Sequence, residues 1–278
     1  MSNVGDVDGN GHDDLVVGAP DENSFGEGVG AVWLMLLADV NSTRHVLQVS
    51  RIGTLSGAFG QLPGNLIIGA AMSAVTSLGD LDGDGKIDLL VGASKGSSGG
   101  STGGIVLVLN MGGVVPSASP SPSPSPSSSQ SVSPSPSQSV SPSPSQSLAP
   151  SAGPASIGGV VEIADGMSGF PGDTLQANSL FGTSIAALGD LDGDGIAEVA
   201  VGAPGHSGNN GSVFVIFMNE QGRARDVVRV AVGIAGFDGH STAGTAPRFG
   251  ASVGVLHQPT GDDPGMPRLL VGSDEDDT

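Results

Sequence analysis

The residues of this chain best suited to chemistry are carboxylates that recur at fixed spacing. GDLDGDG occurs at Gly79–Gly85 and Gly189–Gly195, and a near copy, GDVDGNG, at Gly5–Gly11. Taking the first Asp of each as position 1, positions 1, 3, 5 and 9 are Asp6, Asp8, Asn10 and Asp14 in the first stretch. They are Asp80, Asp82, Asp84 and Asp88 in the second, and Asp190, Asp192, Asp194 and Glu198 in the third. A hard divalent cation such as Ca²⁺ takes six to eight oxygens at roughly 2.3–2.6 Å, and a tight loop with acids at alternate positions supplies them. Position 7 is His12, Lys86 and Ile196. Such variety is expected where the backbone carbonyl is the ligand and the side chain is free. Glycine at position 6 (Gly11, Gly85, Gly195) permits the sharp turn. The expectation is about three Ca²⁺ ions, one per loop.

Two other calcium loops share this opening. An EF-hand needs a bidentate Glu at position 12 and flanking helices. Position 12 here is Val17, Val91 and Val201, inside the apolar runs DLVVGA, DLLVGA and EVAVGA. Those runs read as strands, so the EF-hand fails on both counts, and a dockerin-like loop fails for want of a following helix. The plain alternative is an acidic turn that binds nothing firmly. Other signals are weaker. Gly250–Gly254 fits G-x-S-x-G around Ser252, but leads into another apolar run and no helix, so catalysis there is not expected. The five histidines (His12, His45, His206, His240, His257) share no ligand spacing and read as solvated surface. Trp33, on an alternating strand, reads as core.

The elements that position these loops follow from composition. The chain has 278 residues, with 47 Gly and 19 Pro against 8 Phe, one Trp and no Tyr. Its apolar residues come in short Val, Leu, Ile and Ala runs, which favours many short strands joined by glycine turns. A formal charge of −19 makes binding to nucleic acid through a basic face improbable. The charge is unevenly spread, since eleven of the 28 acids lie at the loop positions named above. Without cysteine there are no disulfides or thiolate metal sites. No apolar stretch is long enough to span a bilayer as a helix, and MSNVGDVDG has no signal-peptide pattern.

A longer unit surrounds each loop, clearest in Phe181–Asn219: a strand, the acidic loop, a strand ending in Gly-Ala-Pro, a glycine turn and a third strand, with RARDVVRVAV as a fourth. Four strand-sized runs in roughly 60–70 residues suit one blade of a β-propeller. The first unit reads as beginning inside its loop, and the fourth, with RFGASVGVL and RLLVGS, stops early. Phe-Gly before the loop (Phe181-Gly182, Phe249-Gly250) and Gly-Ala-Pro after it (Gly18-Ala19-Pro20, Gly202-Ala203-Pro204) resemble FG-GAP repeats, as in the β-propeller of integrin α-subunits. The second unit departs from the pattern: Phe59-Gly60 lies too far upstream, and Ile68-Gly69 or Ala71-Met72 takes its place. In the fourth unit Arg268 falls at position 9 and Pro264 at position 5, leaving Asp262 as the one matching ligand, so no ion is expected there.

The resemblance implies an all-β fold of propeller-type blades, about four repeats making a partial propeller, with calcium stiffening the blade loops. It implies an extracellular or cell-surface protein with a structural, adhesive or protein-binding role, its partner a protein or matrix component, and no catalysis of its own. The alternative is a non-catalytic module of a larger secreted hydrolase, such as a phospholipase-like enzyme. Fewer blades than the family's usual seven are present, which reads as a fragment or a piece completed by another chain. The organisation expected is repeats one and two over 1–115, a disordered Ser/Pro tract over 116–154, and the end of repeat two, repeat three and a truncated repeat four over 155–278. The tract reads as an insertion in an outer hairpin of one blade, where a turn grown from about 4 to about 45 residues costs only about 2 kcal/mol. The rival is a linker between half-domains. Asn41-Ser42-Thr43 and Asn210-Gly211-Ser212 are formal glycosylation triplets.

Overall fold

The structure, a computed structural model, describes residues 1–20, 30–40, 43–52, 72–97, 102–112, 157–234, 247–256 and 268–274. The Ser/Pro tract, the displaced Phe59-Gly60 and Ile68-Gly69, and the Asp262–Pro264 segment lie outside these residues. So do His240 and His257.

The described chain is nearly all β. The first sheet holds β1 (Ser2–Gly5), β2 (Asp14–Ala19), β3 (Ala31–Val40) and β4 (Thr43–Ile52) in that order. The second holds β5 (Met72–Gly79), β6 (Asp88–Ala93), β7 (Ile105–Met111) and β8 (Ile157–Ile163). The third holds β9 (Ser184–Gly189), β10 (Glu198–Ala203), β11 (Ser212–Met218) and β12 (Ala224–Val230), with a four-residue helical turn, α1 (His206–Asn209), between its middle strands. A two-stranded sheet of β13 (Ser252–Leu256) and β14 (Arg268–Gly272) follows. Among the described residues every strand pairing within a sheet is antiparallel between consecutive strands, and isolated parallel bridges join Gly104 to Phe181 and Gly211 to Phe249. The first unit departs from expectation: four residues ahead of its loop do form a strand, pairing Ser2 with Val16 and Asn3 with Leu15. Asn3 and Val4 are neither alternating nor long enough to announce it; the ladder offered by β2 supplies the partner groups.

The first strands lie against one another in chain order, β1 and β2 beside β5, β5 beside β9, and β9 beside β13. This is the stacking of propeller blades around an axis, here a partial propeller. Between each pair of sheets lies an apolar core. Val16, Val32 and Leu34 meet Leu89, Val91 and Leu107; Leu90, Val106 and Val108 meet Val201, Phe214 and Ile216; Ala200 and Val213 meet Phe249 and Val253. Residues of a strand alternate between faces, so β6 sends Leu89 and Val91 one way and Leu90 the other, and all six of its residues are buried. A strand covered on both sides needs an unbroken apolar run, which DLLVGA and EVAVGA are after their opening acid. Trp33, paired with Val17 on β3, is half-buried and not a full core residue.

Phe-Gly and Gly-Ala are what join one blade to the next. Phe181 is fully buried, its ring centroid 5.2 Å from that of Phe170 and 5.8 Å from that of Phe214. Its amide donates to the Gly103 carbonyl at 2.8 Å, across the blade boundary. The backbone of Gly182 comes so near β6 that a Cβ at Gly92 would lie 2.1 Å from the Gly182 carbonyl oxygen. The same approach recurs one blade on, where a Cβ at Gly202 would lie 2.0 Å from the Gly250 oxygen.

Candidate metal centres

Each acidic stretch is the turn between the first two strands of a sheet, β1–β2, β5–β6 and β9–β10. Glycines at positions 4 and 6 of each loop have φ between +77° and +89°, a conformation that L side chains rarely adopt. This curl turns the acids inward, and the same hydrogen bonds appear three times. The position 6 amide donates to the position 1 carboxylate: Gly11 to Asp6 at 2.7 Å, Gly85 to Asp80 at 2.9 Å, Gly195 to Asp190 at 2.8 Å. The position 5 amide donates to position 3: Asn10 to Asp8 at 3.1 Å, and Asp84 to Asp82 and Asp194 to Asp192 at 3.2 Å each. The position 7 amide of His12, Lys86 or Ile196 donates to the side chain of Asn10, Asp84 or Asp194 at 2.8–2.9 Å.

Position 9 differs in environment. Asp14, Asp88 and Glu198 are fully buried at the start of the second strand. Asp14 accepts the amides of Val7 at 2.9 Å and Leu37 at 2.8 Å; Asp88 accepts those of Leu81 at 2.9 Å and Met111 at 2.8 Å. These acids therefore tie the loop to the third strand of the same sheet. Glu198 accepts Leu191 on Oε2 at 2.6 Å, while its buried Oε1 has no hydrogen-bond partner. Burial pushes the carboxyl groups of all three upward, that of Asp88 to about 6, and the neighbouring loop acids add to the shift. The amides that bond to them pull the other way.

In the first loop one oxygen each from Asp6, Asp8 and Asp14 lie within 4.8 Å of one another, and in the second those of Asp80, Asp82 and Asp88 do. In the third the corresponding group is Asp190, Asp192 and Asp194. Asp84 at position 5 of the second loop and Glu198 at position 9 of the third stand outside these groups of three carboxylates. The set of hard oxygen donors suits Ca²⁺ or a similar cation. Two acceptors without donors suit it as well: Glu198 Oε1 beside the third loop, and the buried Oδ1 of Asn110, whose amide reaches Asp82 in the second at 3.3 Å.

Two residues are placed where the sequence did not indicate. Arg225, on β12, pairs with Asp192 through Nη2 and with Asp194 through Nη1 at 3.0 Å. One Arg in RARDVVRV carries no mark of this, because the contact spans 33 residues and depends on strand register. His206 is not solvated surface but buried, its ring edge-on to Phe214 with centroids 5.5 Å apart. Its Nε2 lies 3.0 Å from the Thr174 carbonyl, and the Ser207 and Ser212 hydroxyls each lie 2.9 Å from Nδ1. Burial lowers its pKa, against the Thr174 hydrogen bond, and Arg229 lowers it further. Ser252 opens strand β13.

Comparison with known proteins matches the FG-GAP repeat model at residues 3–35, 73–109 and 181–216, the loop-bearing part of the first three sheets. A curated relative, integrin alpha-X of Mus musculus, is 49% identical over 35 residues. That match covers 13% of this chain and spans 3% of the relative's length.

Proposed function

Since this chain belongs to the FG-GAP repeat family, integrin α-like in sequence, we propose that it is a calcium-stabilised β-propeller segment that binds protein partners and catalyses no reaction. Asp6, Asp8, Asn10, Asp14 and the His12 carbonyl would hold one ion. Asp80, Asp82, Asp84, Asp88 and the Lys86 carbonyl would hold the second, and Asp190, Asp192, Asp194, Glu198 and the Ile196 carbonyl the third. The observation that carries this reading is the threefold recurrence of converging loop acids beside a fully buried acid. Bringing such charges together without a cation costs free energy, and the Asp88 carboxyl is pushed up to about 6, first by burial and further by Asp82 and Asp84. A bound cation offsets it, so binding and folding are coupled.

The role is structural. Among the described residues no helix pair flanks the loops to open on binding, as a calcium sensor would need. The integrin likeness supports an extracellular or cell-surface setting and a protein or matrix partner. None of the helices among the described residues is long and apolar enough to cross a membrane. The Ser/Pro tract, 116–154, is on this reading an insertion between two strands of one blade, supported by the direct pairing of β7 with β8. The repeats then divide as 1–115 and 155–278 around it.

Thermal unfolding in Ca²⁺, in Mg²⁺ and in chelator tests the calcium reading. Saturation at 100 times the dissociation constant contributes about 2.7 kcal/mol per site. The expected result is a rise in Tm of several degrees in Ca²⁺ with little change in Mg²⁺. A folded chain with the same Tm in calcium and chelator would overturn it.

A further inference from the structure

The three loops are alike in backbone and in the hydrogen bonds of positions 1, 3, 5 and 7, but two side chains distinguish the third. In each four-stranded sheet the ladder between third and fourth strands slips by one residue at the same place. The paired residues jump from Leu36↔Gln48 to Leu37↔Val46, from Asn110↔Gly159 to Met111↔Ile157, and from Phe217↔Asp226 to Met218↔Ala224. The extra residue is Leu47 in the first blade, Gly158 in the second and Arg225 in the third. A bulge re-aims the side chain it carries. Here it brings the guanidinium onto Asp192 and Asp194 of its own blade's loop. Leu47 and Gly158, at the equivalent positions, carry no charge. The nearby basic residue of the first blade, Arg44, pairs with Asp39 at 3.2 Å and lies 3.5 Å from the His12 ring, and among the described residues no ion pair joins it to Asp6, Asp8 or Asp14.

We propose that Arg225 is a built-in counter-cation of the third loop, which a divalent cation must displace to bind, so that the third site is the weak one of the three. This rests on the reading of the loops as calcium sites. The planar fork of arginine matches two carboxylates at once, which a lysine point charge does not. Glu198 adds to the difference. In the first two blades the position 9 acid is held by an amide of the third strand, Leu37 or Met111. By register the equivalent in the third blade is Met218. The Glu side chain, one methylene longer, has Oε1 unbonded and so is not clamped as the two aspartates are. The third loop thus has a resident charge and a looser ninth ligand, and it keeps its acids compensated when calcium is scarce.

The test is chelator-competition titration of the full chain, starting calcium-loaded so that every variant is folded, with Arg225→Gln, Arg225→Lys and Asp190→Asn beside wild type. Wild type is expected to hold its weakest ion at least about tenfold less tightly than the next, as a unit charge a few ångströms from a divalent ion implies. Asp190→Asn removes that weakest ion, which assigns it to the third loop. Arg225→Gln tightens it about tenfold, and Arg225→Lys falls between. Melting adds a readout that a purely structural arginine would not give. Arg225→Gln melts below wild type in chelator, and the gap closes in saturating Ca²⁺. Three ions bound by wild type with unchanged affinities in Arg225→Gln would overturn this proposal and leave the calcium reading standing. No ion bound by any variant would overturn both.

Discussion

A carboxylate in these loops does one of two jobs, and position decides which. Positions 1 and 3 are open to solvent or half-open and take amides of the loop itself, whereas position 9 is buried and, in the first two loops, reaches the third strand. Asp80→Asn is therefore expected to lower affinity at the second site about tenfold or more while the cation-free fold keeps its stability, measured by calcium titration and by melting in chelator. Asp88→Asn should do both kinds of damage. An amide nitrogen at one of its two acceptor positions faces a backbone N–H, and an unmet buried donor costs roughly 1–3 kcal/mol, which melting in chelator would register. His206 gives the pH dependence. Its folded pKa lies below the ordinary value, so its contribution to stability is complete above about 6.5 and is lost as pH falls through the folded pKa. The stability gap between wild type and His206→Gln is expected to narrow from pH 7 to pH 5, because only the wild type carries a buried imidazole that acid protonates. A constant gap across that range would refute this.

At the scale of elements, the third and fourth blades each hand a Phe-Gly pair to the blade before. The motif spans a boundary: the glycine of Val-Gly-Ala in one blade faces the glycine of Phe-Gly in the next, backbone against backbone. Gly202→Ala is expected to destabilise by about 1–3 kcal/mol, the usual cost of forcing atoms into a packed site, since its Cβ would meet the Gly250 carbonyl at 2.0 Å. Chemical denaturation measures the loss, and Gly193→Ala is the instructive contrast. Nothing lies within 4 Å of its Cβ, so any cost there comes from its φ of +82° and not from crowding. Strand existence was readable because buried-on-both-sides strands need unbroken apolar runs. β1 was not, since Ser2–Gly5 has too few residues to carry a pattern and is a strand only through its partner β2.

At the scale of the molecule, three interblade cores stacked in sequence tie each sheet chiefly to its neighbours. Stability in such an array is close to a sum of nearest-neighbour terms. The second blade is the informative one, since its third and fourth strands pair although 45 residues separate Met111 from Ile157. Replacing 116–154 by a short turn is expected to keep the fold and raise its stability by at most about 2 kcal/mol, the closure entropy of the longer loop. Thermal melting checks this. Loss of cooperative melting would show that the tract is doing more than joining two strands.

The sequence by itself determined the blades, the loops and the kind of ligand atoms on offer, because each of these is local. Alternation at period two, glycines at positions 4 and 6, and acids at alternate positions all act within about a dozen residues of chain. Tertiary structure alone decided that Arg225 faces Asp192 and Asp194, that Glu198 leaves an oxygen unpaired, and that His206 is buried against Phe214. Each depends on strand register or on the packing of one blade against the next. A shift of one residue in a strand sends every side chain to the opposite face, and the one-residue bulge that aims Arg225 is set by its pairing partner.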